Sequence, residues 1–174
     1  MKKKVTLHAG DYFFGTQNHQ VSTLLGSCVS ITLWHPELKI GGMCHFALPE
    51  NYHSNHTMNP RFADDCYQLF QRSVTKHKTK LHEYQAKIFG GGNMYEKMPQ
   101  DNSILSSVER LPVGEKNVMS AVAFLTRHDI PLLVAHVGEF GYRNIIFDIE
   151  TGDVWVRFTA INRQGDQSSL SGDF

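Results

Sequence analysis

Two residues of this chain have the types and the spacing to carry out covalent chemistry. Cys28 closes the stretch Ser22-Thr23-Leu24-Leu25-Gly26-Ser27-Cys28, and His45 follows seventeen positions later within Gly41-Gly42-Met43-Cys44-His45-Phe46-Ala47-Leu48-Pro49. A free thiol has a pKa near ~8.5, so only about 3% is thiolate at pH 7, and an imidazole that accepts its proton removes most of that handicap. Proximity is therefore a chemical requirement, and the segments between the two residues supply it. Val29 to Trp34 alternates apolar and polar residues, His35-Pro36-Glu37 reads as a turn, and Lys39 to Phe46 reads as a second extended run. Two adjacent antiparallel strands of this kind return His45 towards Cys28. Gly26 and Ser27 allow a tight backbone just before the sulfur, where peptide N–H groups could stabilise an oxyanion. Spacing alone favours a buried structural cysteine and a satisfied strand histidine.

The elements around this pair read as a mixed class. Extended segments are expected at Tyr12 to Phe14 and across Val29 to Phe46. From Arg61 to about Thr75, Phe62, Cys66, Leu69, Phe70 and Val74 fall at helical spacing, with Pro60 suited to the first turn. A strand is expected around Tyr84 to Phe89. A second helix is expected from Glu115 to His128, burying Val118, Ala121, Val122 and Leu125. Leu132 to Val137 has the apolar content of a buried strand, and Ile145 to Phe147 with Val154 to Phe158 flank Glu150-Thr151-Gly152-Asp153 as a terminal hairpin. Segregated strands and helices imply an α+β fold. Residues 1–161 read as one domain, and 162–174, rich in Ser, Gly and Gln, as a polar mobile tail.

Composition excludes several classes of function. Lys and Arg total 17 against 17 Asp and Glu, so no overall basic field draws the protein to nucleic acid or an acidic membrane. No run is long and apolar enough for a signal peptide or a bilayer span. Three cysteines at irregular spacing argue against a disulfide framework and for a reducing cytoplasm. Ten histidines, including His53, His56, His77 and His82, form neither an HExxH helix nor a paired CxxC site. Gly90-Gly91-Gly92-Asn93 lacks the Lys-Ser/Thr of a phosphate loop and reads as a tight turn. On a regular strand Cys44 points away from His45, and Cys66 fits the apolar helix face; both read as core.

The wording of the motifs is more specific than their spacing. Leu-Gly-Ser-Cys-Val followed by Gly-Gly-Met-Cys-His-Phe-Ala-Leu-Pro resembles the CheD family of chemoreceptor glutamine deamidases. Pro60-Arg61-Phe62-Ala63-Asp64, Lys87-Ile88-Phe89-Gly90-Gly91-Gly92-Asn93-Met94 and Val113-Gly114-Glu115-Lys116-Asn117-Val118 are similar to further family segments in the same order. The resemblance implies two packed mixed β-sheets flanked by helices, like the catalytic domain of the cytotoxic necrotizing factor toxins. It implies Cys28 as nucleophile, His45 as base and, six positions before the cysteine, Ser22 as the third catalytic hydroxyl, with the adjacent Thr23 as the other candidate. Gly26 and Ser27 would serve the oxyanion and substrate. Neither metal nor organic cofactor is required. The implied substrates are cytoplasmic helical regions of methyl-accepting chemotaxis receptors, and the other implied partner is the CheY-phosphate phosphatase CheC. A noncatalytic adaptor for receptors or CheC is the alternative, and a cysteine protease a remoter one. The chain departs from the family pattern where Glu139 and Tyr142 replace glycines in Gly138-Glu139-Phe140-Gly141-Tyr142-Arg143.

Overall fold

A computed structural model describes residues 1–52, 57–94 and 110–161. The order is β1 (Lys3–Leu7), β2 (Tyr12–Thr16), β3 (His19–Leu25), β4 (Val29–His35), β5 (Ile40–Cys44), α1 (Ala63–Lys76), β6 (Gln85–Gly90), α2 (Val113–Arg127), β7 (Leu132–Val137), β8 (Gly141–Asp148) and β9 (Val154–Ala160). The strands form a four-stranded sheet, β1-β3-β8-β9, and a five-stranded sheet, β2-β5-β4-β6-β7. Each is mixed: β1 runs parallel to β3 and β6 to β7, while the other pairs are antiparallel.

Two apolar layers hold the sheets and helices together. Val21, Leu25, Ile145, Phe147 and Val156 of the four-stranded sheet pack with Met43 and Phe89 of the five-stranded one. On the far side of the five-stranded sheet, Val29, Ile31, Leu33 and Ile88 meet Cys66, Phe70 and Val74 of α1 and Ala121, Phe124 and Leu125 of α2. The architecture is therefore α+β, sheet on sheet on helices. Strands β4 and β6 lie between two apolar layers, and β4 accordingly shows little alternation in burial.

Several expectations need correction. The strands β1 and β3 were not legible: β1 is lysine-rich and largely exposed, and β3 reads as a mixed polar run. Among the described residues, strand β7 is an edge strand rather than a buried one, pairing only with β6, and Leu133 is 53% exposed. Pro60 lies before α1, whose first residue is Ala63. On α2 the buried stripe includes Phe124, while Val122 faces outwards, because the core contact of this helix is centred on Ala121 and Leu125. Cys44 and Cys66 are both in the helix-side core, as expected. The expected loop histidines His53 and His56 and the tail 162–174 lie outside the described residues. Among the described residues, no helix is long and apolar enough to cross a membrane.

Candidate active site

The β4–β5 hairpin does what the spacing of Cys28 and His45 requires. Beyond the regular ladder, Val29 and Phe46 exchange two backbone hydrogen bonds of 3.0 Å. Cys28 and His45 each precede a member of that bridge by one residue, so the period-two pleat sends both to its opposite face. There both line one cleft of about 810 Å³. The β1–β2 connection fixes the histidine main chain: His45 N–H donates to Asp11 O at 3.1 Å, and Gly10 N–H donates to His45 O at 2.8 Å.

The imidazole is oriented by Thr23. Its Oγ1 lies 2.7 Å from His45 Nδ1 and 2.7 Å from the carbonyl oxygen of Leu7. A carbonyl can only accept, so the single hydroxyl proton of Thr23 goes to Leu7 O, and Oγ1 must accept from Nδ1–H. This assigns the tautomer: Nδ1 carries the proton, and Nε2 keeps its lone pair for a proton from elsewhere. The expected hydroxyl, Ser22, is placed differently. Its Oγ is 3.3 Å from Thr6 Oγ1, on the outer face of the sheet. Strand pleating is the reason: Val21, Thr23 and Leu25 are buried, while Ser22 and Leu24 point outwards. The alternation Val-Ser-Thr-Leu-Leu contains this information once the segment is known to be a strand.

The turn carrying the sulfur is tied down through its carbonyls. Gly92 N–H donates to Gly26 O at 2.9 Å and Gly91 N–H to Cys28 O at 2.8 Å. The buried Asn117 of α2 donates through Nδ2 to Ser27 O at 3.2 Å and to Ala47 O at 2.9 Å, linking the Cys28 turn to the chain just past His45. The close approach of β6 depends on Gly90, which has φ +107° and whose Cβ, if present, would sit 2.1 Å from Cys28 O. Sequence reasoning named Cys28, His45, Gly26 and Ser27, and Ser22 with Thr23 as the other candidate hydroxyl; Cys28, His45, Ser22 and Thr23 line one cleft. It assigned no role to Leu7 and Asp11, which act through their carbonyl oxygens, or to Asn117, whose side-chain amide bonds the main chain of two distant segments.

Electrostatics favour an uncharged pair. Burial pulls the His45 imidazole down to about 4, with the Asp11 carboxylate opposing and His8 reinforcing the shift. Burial also pushes the Cys28 thiol above its ordinary value, against the positive charge of Arg61 and its own backbone N–H. At neutral pH the cleft therefore holds an un-ionised thiol and a neutral imidazole. Glu139 adopts the left-handed region at φ +62°, and Gly138 beside it has φ +75°.

Comparison with known proteins gives a consistent result. A family model described as CheD chemotactic sensory transduction matches residues 47–158. A probable chemoreceptor glutamine deamidase CheD of Pseudomonas syringae pv. tomato is 39% identical over 158 residues, 91% of this chain and 90% of the relative. A probable chemoreceptor glutamine deamidase CheD 3 of Dechloromonas aromatica is 42% identical over 156 residues, 89% and 87% of the two chains. A third, CheD 1 of Leptospira interrogans, is 36% identical over 153 residues, 86% and 89%. Alignments of this length take in both Cys28 and His45, which the family model's match does not reach.

Proposed function

The chain belongs to the CheD family of chemotactic sensory transduction proteins, and from that premise we propose that it is a chemoreceptor glutamine deamidase, hydrolysing receptor glutamine side chains to glutamate in the cytoplasm. The observation that carries this reading is the shared cleft of Cys28 and His45, with His45 held by Thr23 in the tautomer that leaves Nε2 basic. His45 Nε2 takes the thiol proton as Cys28 Sγ attacks the carboxamide carbon, and the amide π electrons move to its oxygen. Backbone N–H groups around Ser27 and Cys28 would stabilise that oxyanion. The C–N bond then breaks, the departing nitrogen takes the proton from His45, and ammonia leaves a thioester on Cys28. Water, giving a proton to His45, attacks the thioester; the C–S bond breaks, the proton returns to sulfur and glutamate is released. No metal or organic cofactor enters these steps.

In this mechanism Thr23 rather than Ser22 is the positioning residue, because Thr23 alone of the two bonds the imidazole. The likeness to the toxin catalytic domain and an interaction with CheC belong to the same reading. Mass spectrometry of a chemoreceptor cytoplasmic fragment after incubation with the protein tests it. Conversion of glutamine to glutamate is the expected result. Backbone cleavage would make the protein a protease, and binding without any change in mass would make it an adaptor.

A further inference from the structure

One wall of the cleft is the outer face of the four-stranded sheet. The strand register sets out two rows across it: Ser22, Ile146 and Trp155 stand side by side on β3, β8 and β9, and Leu24, Asn144 and Arg157 form the next row. All six residues line the same cleft as Cys28 and His45. A sheet face turned to solvent is ordinarily polar. Here Leu24 is 55% exposed, and Ile146 and Trp155 are each 43% exposed. Ile146 and Trp155 are direct cross-strand neighbours and Leu24 is diagonal to Ile146, so the three make one patch rather than scattered residues. The described lining carries one permanent charge, the Arg157 guanidinium, and no carboxylate.

We propose that this sheet face is the docking surface for the glutamine-bearing segment of the substrate: a helix that lays aliphatic side chains on Leu24, Ile146 and Trp155 and an acidic side chain on Arg157. The inference rests on the deamidase reading of the site and adds what selects the substrate. Continuity with the Cys28–His45 cleft identifies the occupant, since whatever presents an amide to the sulfur must lie along this wall. Spacing fits a helix. Adjacent strands lie about 4.8 Å apart and alternate residues of one strand about 7 Å apart, close to the separation of side chains one turn apart on a helix. Charge identifies the flanking residue, because Arg157 pairs with a carboxylate bidentately.

The test is the ratio of kcat/KM on a folded helical chemoreceptor fragment to kcat/KM on a short glutamine peptide. Trp155→Ala and Arg157→Glu are each expected to lower this ratio about tenfold. Arg72→Ala, on the exposed side of α1, is expected to keep it at the wild-type value. A receptor fragment in which the acidic residues one turn from the target glutamine are changed to lysine should recover efficiency with Arg157→Glu. Circular dichroism and thermal melting confirm that each variant is folded, and Arg157→Ala gives a milder second reading. A wild-type ratio for both Trp155→Ala and Arg157→Glu, with the receptor fragment still deamidated, overturns this inference alone. If the unaltered protein deamidates no receptor fragment, the deamidase reading falls and the inference with it.

Discussion

The hydroxyl proton of Thr23 decides which nitrogen of His45 is basic. Thr23→Val removes the acceptor of Nδ1–H while keeping the side-chain shape, so kcat should fall by on the order of 10²-fold. Thr23→Ser should restore much of it, and Ser22→Ala should cost less than Thr23→Val. Steady-state ammonia release measures all three, and the reverse order would move the role to Ser22. The charge state of the pair gives a second prediction. With His45 held near about 4 by burial, the neutral base is present at all pH values above that. The acid limb of kcat/KM should therefore fall near pH 4. A preformed thiolate–imidazolium pair would require the thiol to ionise first, and the limb would then track thiolate formation. Type and spacing drew attention to Cys28 and His45 and the wording of the motifs singled them out, whereas Ser22 and Thr23 are both hydroxyls and only strand pleating separates them.

Elements contribute by holding the Cys28 turn against the strand that carries His45. Asn117 does so from α2, with one amide bonded to Ser27 O and Ala47 O. Asn117→Leu leaves two carbonyls without that donor and should destabilise the protein by about 2–4 kcal/mol. Activity per folded molecule should also drop, as measured by chemical denaturation alongside active-site titration. An unchanged specific activity would reduce Asn117 to a purely structural contact. The hairpin β4–β5, both helices and the terminal β8–β9 hairpin were legible because their periodicity is local. Strands β1 and β3 were not, because one is lysine-rich and the other, His-Gln-Val-Ser-Thr-Leu-Leu, mixes polar and apolar residues on both faces. The apolar run of β7 was read as buried, yet it lies at a sheet edge. Composition reports apolar content and says nothing of where a strand falls in the sheet order.

At the scale of the molecule, the buried neutral His45 links activity to acid stability. Its pKa is lowered on folding, so its contribution is fully present above the unfolded value of 6.5 and is lost as pH falls towards about 4. Across that window the protein should lose about 3 kcal/mol of stability through this group. His45→Gln, which cannot titrate, should show a correspondingly flatter dependence in denaturant unfolding at pH 7 and pH 4. The layered arrangement of sheet on sheet on helices leaves Cys28 half-buried at the cleft, outside the helix-side core that holds Cys44 and Cys66. Removing its sulfur should therefore cost chemistry and little stability. The most direct measurement is ammonia release from a chemoreceptor fragment by Cys28→Ala, with melting temperature recorded on the same sample. The account predicts no release above background from a protein that melts close to the wild type. Release at a rate comparable to the wild type would contradict it.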